Sequence, residues 1–329
     1  MFEGILIEKS GDRQTARWAL LNESELPKGE VLVDVAWTTL NYKDALAMTG
    51  RSPVVRQFPM VPGIDFSGIV SRSDSASFKK GDRVVMTGWG MGERFWGGMA
   101  RLARVPAECL VALPDGLDLK QAMAIGTAGF TAMLCVMALE ERGVRPGDGE
   151  ILVSGAAGGV GSVATALLAG RGYKVVAVTG RAEEEDYLKG LGASRIVKRS
   201  DFSEPGRPLQ KEQWAAAVDV VGGVALANVL AGIQYGGTVV ACGLAGGMDL
   251  PTTVAPFILR SVSLIGVDSV MCDRVKRTLA WRQLARELDL KLLESMINEV
   301  SLKSVIGSAA EMLEGKIRGR TVVPVSGSV

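Results

Sequence analysis

A run of small residues, Ser154-Gly155-Ala156-Ala157-Gly158-Gly159, follows the β-branched stretch Ile151-Leu152-Val153. Apolar residues then recur at Val160, Val163, Ala164, Leu167 and Leu168, the spacing of one helix face. A turn nearly free of side chains lets backbone approach a pyrophosphate, and the helix it opens offers that charge free N–H groups. Two registers fit the glycine fingerprint: Ala156-x-Gly158-x-x-Gly161 and Gly159-x-Gly161-x-x-Ala164. No Gly-Lys-Ser/Thr follows, which argues against a nucleoside-triphosphate P-loop. The next strand, Val175-Val176-Ala177-Val178, runs into Thr179-Gly180-Arg181, with no acid before Glu183. A carboxylate at that strand end would bind a ribose 2′-hydroxyl and repel a 2′-phosphate, whereas an arginine fork suits the phosphate. These residues predict NADPH rather than NADH; a solvated surface arginine is the plain alternative.

Histidine is absent from all 329 residues. That removes His-based triads, the usual proton shuttle at neutral pH and the commonest zinc ligand together. An acid or base must then be Tyr, Lys, Asp, Glu, Cys or a hydroxyl of a bound cofactor. Asn41-Tyr42-Lys43-Asp44 is a polar cluster at the head of a predicted helix, with Thr39 or Asn41 able to cap it. Trp89-Gly90-Met91-Gly92-Glu93-Arg94-Phe95-Trp96-Gly97-Gly98 fits a pocket-lining loop or a packed surface loop. Cys109, Cys135, Cys242 and Cys272 are far apart, with no C-x-x-C pair, and read as buried reduced thiols.

Positioning these groups takes two kinds of architecture. Strands alternating with helices from Ile151 to Asp268 predict a doubly wound parallel sheet, with Val218 to Val221, Thr238 to Cys242 and Leu264 to Asp268 among its strands. Before it come short strands with glycine turns: Gly4 to Glu8 and Ala16 to Leu21 around Gly11-Asp12, Val31 to Trp37, Ile64 to Val70 and Arg83 to Met86. They predict a small β-rich, barrel-like domain. A helix is expected from about Leu119 to Arg142, a mostly helical stretch over Asp273 to Glu299, and a last strand over Arg320 to Val325. Apolar residues make up 47% and the formal charge is +1, enough for a large core in about two domains. No basic block suggests nucleic acid, no apolar stretch reads as a clean bilayer span, and MFEGILIEK does not read as a secretory signal. A soluble cytoplasmic protein is expected.

This order of elements resembles the medium-chain dehydrogenase/reductase superfamily over essentially the whole chain. Asn41 to Leu46, Pro62-Gly63-Ile64-Asp65-Phe66-Ser67-Gly68, Gly88-Trp89-Gly90, Gly126 to Ala132, Ala241 to Gly247 and Gly266 to Val270 look like its quinone-oxidoreductase-like branch, and within it the NADPH-dependent acryloyl-CoA reductases. The resemblance implies an α/β fold: a GroES-like β-rich catalytic domain over residues 1–125, a Rossmann NADP-binding domain over 126–268 and a C-terminal return over 269–329. It places the cofactor on Tyr42, Ala157, Gly158, Gly159, Val160, Thr179, Gly180, Arg181, Arg199, Leu244, Ile258 and Ser269. Arg199 has a rationale of its own as a second cation near the adenosine phosphate; Leu244 and Ile258 would otherwise be read as core. Zinc-dependent members carry a Gly-His-Glu stretch where this chain has Gly63-Ile64-Asp65, so no metal is expected. Relatives with a histidine near Arg94-Phe95-Trp96 lend this chain no role there.

Three functions follow. The first is zinc-independent, NADPH-dependent reduction of the 2,3 double bond of acryloyl-CoA to propanoyl-CoA. Tyr42 is then the candidate proton donor, or a residue that only packs against the nicotinamide. The second is reduction of quinones or enones, and the third a non-catalytic NADPH-binding structural or sensing protein. A homodimer acting on an acyl-CoA or other small molecule is implied, through pairing of the apolar edge Leu264-Ile265-Gly266-Val267.

Overall fold

The computed structural model describes residues 1–11 and 13–326. Asp12 of the Gly11-Asp12 turn lies outside them. Within them the chain forms two compact units: residues 1–11, 13–127, 270–285 and 293–326 belong to the first, and residues 128–269 with 286–292 to the second. Glu287 belongs to the second unit, where its carboxylate takes Arg171 Nε at 2.8 Å.

In the first unit, β1 (Phe2–Ser10) and β2 (Arg13–Leu21) form an antiparallel hairpin. β3 (Val31–Leu40), α1 (Tyr42–Thr49), β4 (Asp65–Ser73), β5 (Arg83–Thr87), β6 (Leu102–Val105) and β7 (Leu110–Ala112) follow. β3 is the hub of a seven-stranded sheet and pairs β4, β6 and the late strand named below. Its Val31, Val33 and Val35 are fully buried in the unit's apolar core, as alternation along a half-buried strand demands. α2 (Leu119–Glu141) follows, broken at Gly126, whose φ of 50° is non-helical. It has the length and apolarity of a bilayer span, contrary to the expectation of none, but its apolar stretch is wholly buried in the protein.

The second unit runs β8 (Glu150–Val153), α3 (Gly159–Gly170), β9 (Lys174–Thr179), α4 (Glu185–Gly190), β10 (Ala193–Lys198), β11 (Trp214–Asp219), α5 (Gly223–Ala231), β12 (Ile233–Ala241), α6 (Ala255–Arg260) and β13 (Ser263–Gly266). Its strands stand in the order β10-β9-β8-β11-β12-β13, all parallel. Strand order reverses between β8 and β11, so the crevice at their carboxyl ends is the switch point of a doubly wound sheet. β11, WAAAVD, is buried at every position, the continuous apolar reading of a central parallel strand. α3 is buried at every residue from Gly161 to Leu168, more than the one apolar face its leucines and valines suggested. Gly161, Ser162, Ala164, Thr165 and Ala166 are small enough to bury the remaining faces.

The chain closes with α7 (Arg274–Glu287), α8 (Leu290–Ser295), β14 (Ile297–Glu299), α9 (Val305–Leu313) and β15 (Arg320–Pro324). The helical stretch expected over 273–299 is therefore two helices and a strand. Asp289 interrupts it, its Oδ1 accepting from Lys291 N at 2.8 Å and so restarting a helix. β15 pairs β3 antiparallel and β14 parallel.

Candidate functional site

The small-residue run forms a turn from β8 into α3. Gly155 adopts φ 57°, and Gly158 is the N-cap of α3. No side chain caps that helix, so its first amides are left for something other than protein. Gly161 shows why the turn is tight: a Cβ there would lie 2.4 Å from Gly155 O. This is close helix-to-turn packing that glycine alone permits. Ser154 Oγ donates to Asp219 Oδ1 at 2.6 Å, tying the carboxyl ends of β8 and β11 together at the switch point. Asp219 Oδ2 takes Gly222 N at 2.7 Å and Val221 N at 3.2 Å. Burial pushes the Asp219 carboxyl above its ordinary value, against the pull of these hydrogen bonds. The one trace of this pair in the sequence is an Asp that ends an otherwise apolar strand. A turn with bare backbone, an uncapped helix and no anion of its own at the surface fits a dinucleotide pyrophosphate on Ala157, Gly158, Gly159 and Val160.

At the end of β9, Thr179 Oγ1 accepts Arg181 N at 3.1 Å, which fixes the backbone there. Arg181 Nη1 lies 3.5 Å from Glu184 Oε1, whose carboxylate is buried one turn on. Gly180 is where Arg199 rests: a Cβ on it would come within 2.7 Å of Arg199 Cζ and Nε. Thus two guanidinium groups, from β9's end and from the turn after β10, sit around Thr179-Gly180. A cavity of about 600 Å³ opens beside them, lined by Thr179, Gly180, Lys189, Lys198 and Arg199 among others. Cations predominate in that lining, where the one carboxylate, Glu185, pairs Lys189 Nζ at 2.7 Å; Arg181 stands outside the lining, beside Glu184. That donor set suits a phosphate.

Leu244 and Ile258, which periodicity alone would send to a core, are both exposed. Leu244 lies in the loop after β12. That loop is held against the β11–α5 turn by Gly246 N donating to Val221 O at 2.7 Å. Ile258 is on α6, and Ser269 follows β13. None of the four cysteines is in a disulfide; Cys109, Cys135 and Cys272 are buried, while Cys242 is only half-buried, differing from the expectation.

In the first unit, Tyr42 is the first residue of α1 and 42% exposed. Asn41, one of two candidate caps, is the N-cap. Asp44 reaches back as its reciprocal partner, Oδ2 taking Asn41 N at 2.9 Å. Its Oδ1 takes Ile64 N at 2.9 Å and Gly63 N at 3.2 Å, locking the Pro62-to-Asp65 turn onto the helix start. Asp65 collects Thr39 Oγ1 at 2.6 Å, Asn41 Nδ2 at 3.0 Å and Thr127 N at 2.7 Å. Arg320 completes the cluster, Nε donating to Ala124 O at 2.8 Å and Nη1 to Asn41 Oδ1 at 3.3 Å. All four polar residues beneath Tyr42, Asn41, Asp44, Asp65 and Arg320, are buried. Burial first, and the Asp65 charge second, push the Asp44 carboxyl up to about 7. Burial lowers the Arg320 pKa, opposed by Asp65 and Asp44. The role of Arg320 was illegible in sequence, because nothing local ties a terminal strand to a helix start nearly the whole chain away.

The Trp89 loop is packed, not open. Trp89 sits at φ 55°, its N donating to Val270 O at 3.0 Å, and the Arg277 guanidinium lies 4.8 Å from its ring centre. Buried Arg277 holds the strand before it through Thr87 O at 2.7 Å and Thr87 Oγ1 at 2.8 Å.

Comparison with known proteins adds the following. Residues 159–289 match the zinc-binding dehydrogenase family model, and residues 27–115 match the alcohol dehydrogenase GroES-like domain. A probable acrylyl-CoA reductase of Escherichia coli (strain K12) is 54% identical, over 98% of this chain and 100% of that protein. An acrylyl-CoA reductase of Ruegeria pomeroyi is 51% identical, over 99% and 100%. A crystal structure of an oxidoreductase from Salmonella enterica in complex with NADP superposes with a TM-score of 0.97. It is 52% identical, over 98% of this chain and 100% of that one.

Proposed function

The chain belongs to the medium-chain dehydrogenase/reductase superfamily, in its quinone-oxidoreductase-like branch. From that premise we propose that it reduces the 2,3 double bond of acryloyl-CoA with NADPH, giving propanoyl-CoA. The observation that carries the reading is identity above half, over the whole length, with proteins that bear this activity in their names. The side-chain-poor turn and the two arginines at the end of β9 support the cofactor half of it.

Bound NADPH would supply the reducing equivalent. The protein's part is to hold and orient. Backbone of Ala157, Gly158, Gly159 and Val160 would take the pyrophosphate, while Thr179, Gly180, Arg181 and Arg199 would take the 2′-phosphate end. Leu244, Ile258, Ser269 and Tyr42 would complete the site. Reduction at the β-carbon builds negative charge on the thioester oxygen, which needs hydrogen-bond donors beside it. The α-carbon then needs a proton. In a chain without histidine, the Tyr42 phenol is the candidate donor, on a helix start whose N-cap is held by the buried network. A purely packing role against the nicotinamide is the competing assignment.

The zinc of the matched family's description does not fit here. Asp65, in the Gly63-Ile64-Asp65 stretch, is fully buried and spends both oxygens on Thr39, Asn41 and Thr127. Among the described residues no group of three or more Cys, Asp or Glu could hold a metal ion. We further propose a homodimeric, cytoplasmic enzyme. Incubation of the protein with acryloyl-CoA and NADPH tests the reading: propanoyl-CoA should accumulate mole for mole with NADPH consumed. NADPH consumption without that product would refute it.

A further inference from the structure

Lys43, Arg56 and Arg94 come from three separate places, the first turn of α1, the segment after it and the Trp89-to-Gly98 loop. All three converge on one carboxylate. Glu93 pairs Lys43 Nζ closely, Arg56 Nε lies 3.7 Å from its Oε1, and Arg94 Nε lies 3.9 Å from the same oxygen. The convergence is built into the backbone: Arg56 N donates to Glu93 O at 2.9 Å, and Arg94 N donates to Gly90 O at 2.8 Å. One lysine suffices to balance one carboxylate. The two arginines are held loosely beyond hydrogen-bond length, and neither guanidinium donates a hydrogen bond among the described residues. Their side chains are 60% and 68% exposed. Beside Arg94, Phe95 leaves 49% of its surface in solvent, while Gly92 N donates to its carbonyl at 2.7 Å and keeps the loop turned.

A pair of guanidinium forks on backbone that is held in place, with an exposed aromatic ring next to Arg94 in the chain, is the donor set for a phosphorylated nucleotide: bidentate donors for phosphate and a flat face for a base. We infer that Arg56 and Arg94, with Phe95, bind the phosphorylated adenosine end of the coenzyme A thioester. Glu93, itself paired to Lys43, keeps the two arginines side by side. This rests on the acyl-CoA reading above and adds the part of the site that recognises the carrier rather than the acyl group. The cluster shares α1 with Tyr42, so carrier recognition and the reacting end would be set by one helix start.

The test uses the full-length protein and two thioesters, acryloyl-CoA and acryloyl-pantetheine, which lacks the nucleotide. For the Arg56→Ala/Arg94→Ala double variant, the acryloyl-CoA KM should rise by roughly 10-fold or more, with kcat near that of the unmodified protein. The acryloyl-pantetheine KM should not move, and the Arg56→Lys/Arg94→Lys variant should restore part of the loss. Raising salt should weaken acryloyl-CoA selectively. Calorimetric titration of NADP-saturated protein with adenosine 3′,5′-bisphosphate gives a readout free of turnover. Heat should appear with the unmodified protein and vanish with the double alanine variant. An acryloyl-CoA KM within twofold of the unmodified value, or equal losses for both thioesters, would overturn the inference. If the unmodified protein reduces neither thioester, the acyl-CoA reading itself falls, and the bisphosphate titration still decides whether the arginines form a nucleotide site.

Discussion

At the scale of single residues, the proposed 2′-phosphate site rests on Arg181 and Arg199. A charge-assisted hydrogen bond contributes about 1.5–3 kcal/mol, or roughly 10- to 150-fold in affinity. Arg181→Ala should therefore weaken NADPH binding by about that factor in a fluorescence titration and leave NADH nearly unchanged; equal losses would contradict the 2′-phosphate assignment. Arg181 stands out in the sequence because a strand end without an acid is a local pattern. That Arg199 rests on Gly180 was not, since the contact joins two strands and shows only once the sheet is built. Tyr42 carries the chemical question. General acid catalysis contributes about 10²- to 10⁴-fold. Tyr42→Phe should lower kcat by that order with NADPH affinity little changed if the phenol donates the proton. Near-normal kcat with lost cofactor affinity would make it a binding residue.

At the scale of elements, the start of α1 is held by carboxyls that the sequence showed only as neighbours in a polar string. The Asn41–Asp44 relation is local and could be read as a capping box; the hold of Asp44 on Gly63 and Ile64, and of Arg320 on Asn41, could not. The Asp44 carboxyl is pushed up to about 7, from an ordinary value near 3.8. The folded state then binds a proton that the unfolded chain has lost between those values, so this group's contribution to stability falls as pH rises from about 4 to about 7. Asp44→Asn removes that titration. The melting temperature of the unmodified protein minus that of the variant should be a few degrees smaller at pH 8 than at pH 5. A difference that stays constant or grows with pH would contradict a raised Asp44. Other elements diverged from their sequence reading for physical reasons. α3 buries small residues that carry no amphipathic signal, and the 273–299 stretch is cut by an Asp whose side chain starts a new helix.

At the scale of the whole molecule, the parallel sheet was legible from strand–helix alternation because continuous apolar runs mark buried parallel strands. The β-rich unit was legible as short strands of a barrel-like domain, but its hub was not, since β3 takes two partners from the first third of the chain and one from its last strand. β13 is the last strand of the six-stranded sheet, with Ile258 and Leu259 exposed on the helix before it. An apolar sheet edge of this kind is covered by pairing or it aggregates. Light scattering at micromolar concentration should give twice the 34.7 kDa of one chain; a monomer mass would count against the dimer. The central claim, that the molecule is built for an acryloyl thioester and not for quinones, is tested most directly by kcat/KM. With NADPH in excess, the same preparation is given acryloyl-CoA and a 1,4-benzoquinone in parallel. We predict kcat/KM at least about 100-fold higher for acryloyl-CoA, a difference of about 2.8 kcal/mol in transition-state binding. Equal values, or turnover of the quinone alone, would contradict the account.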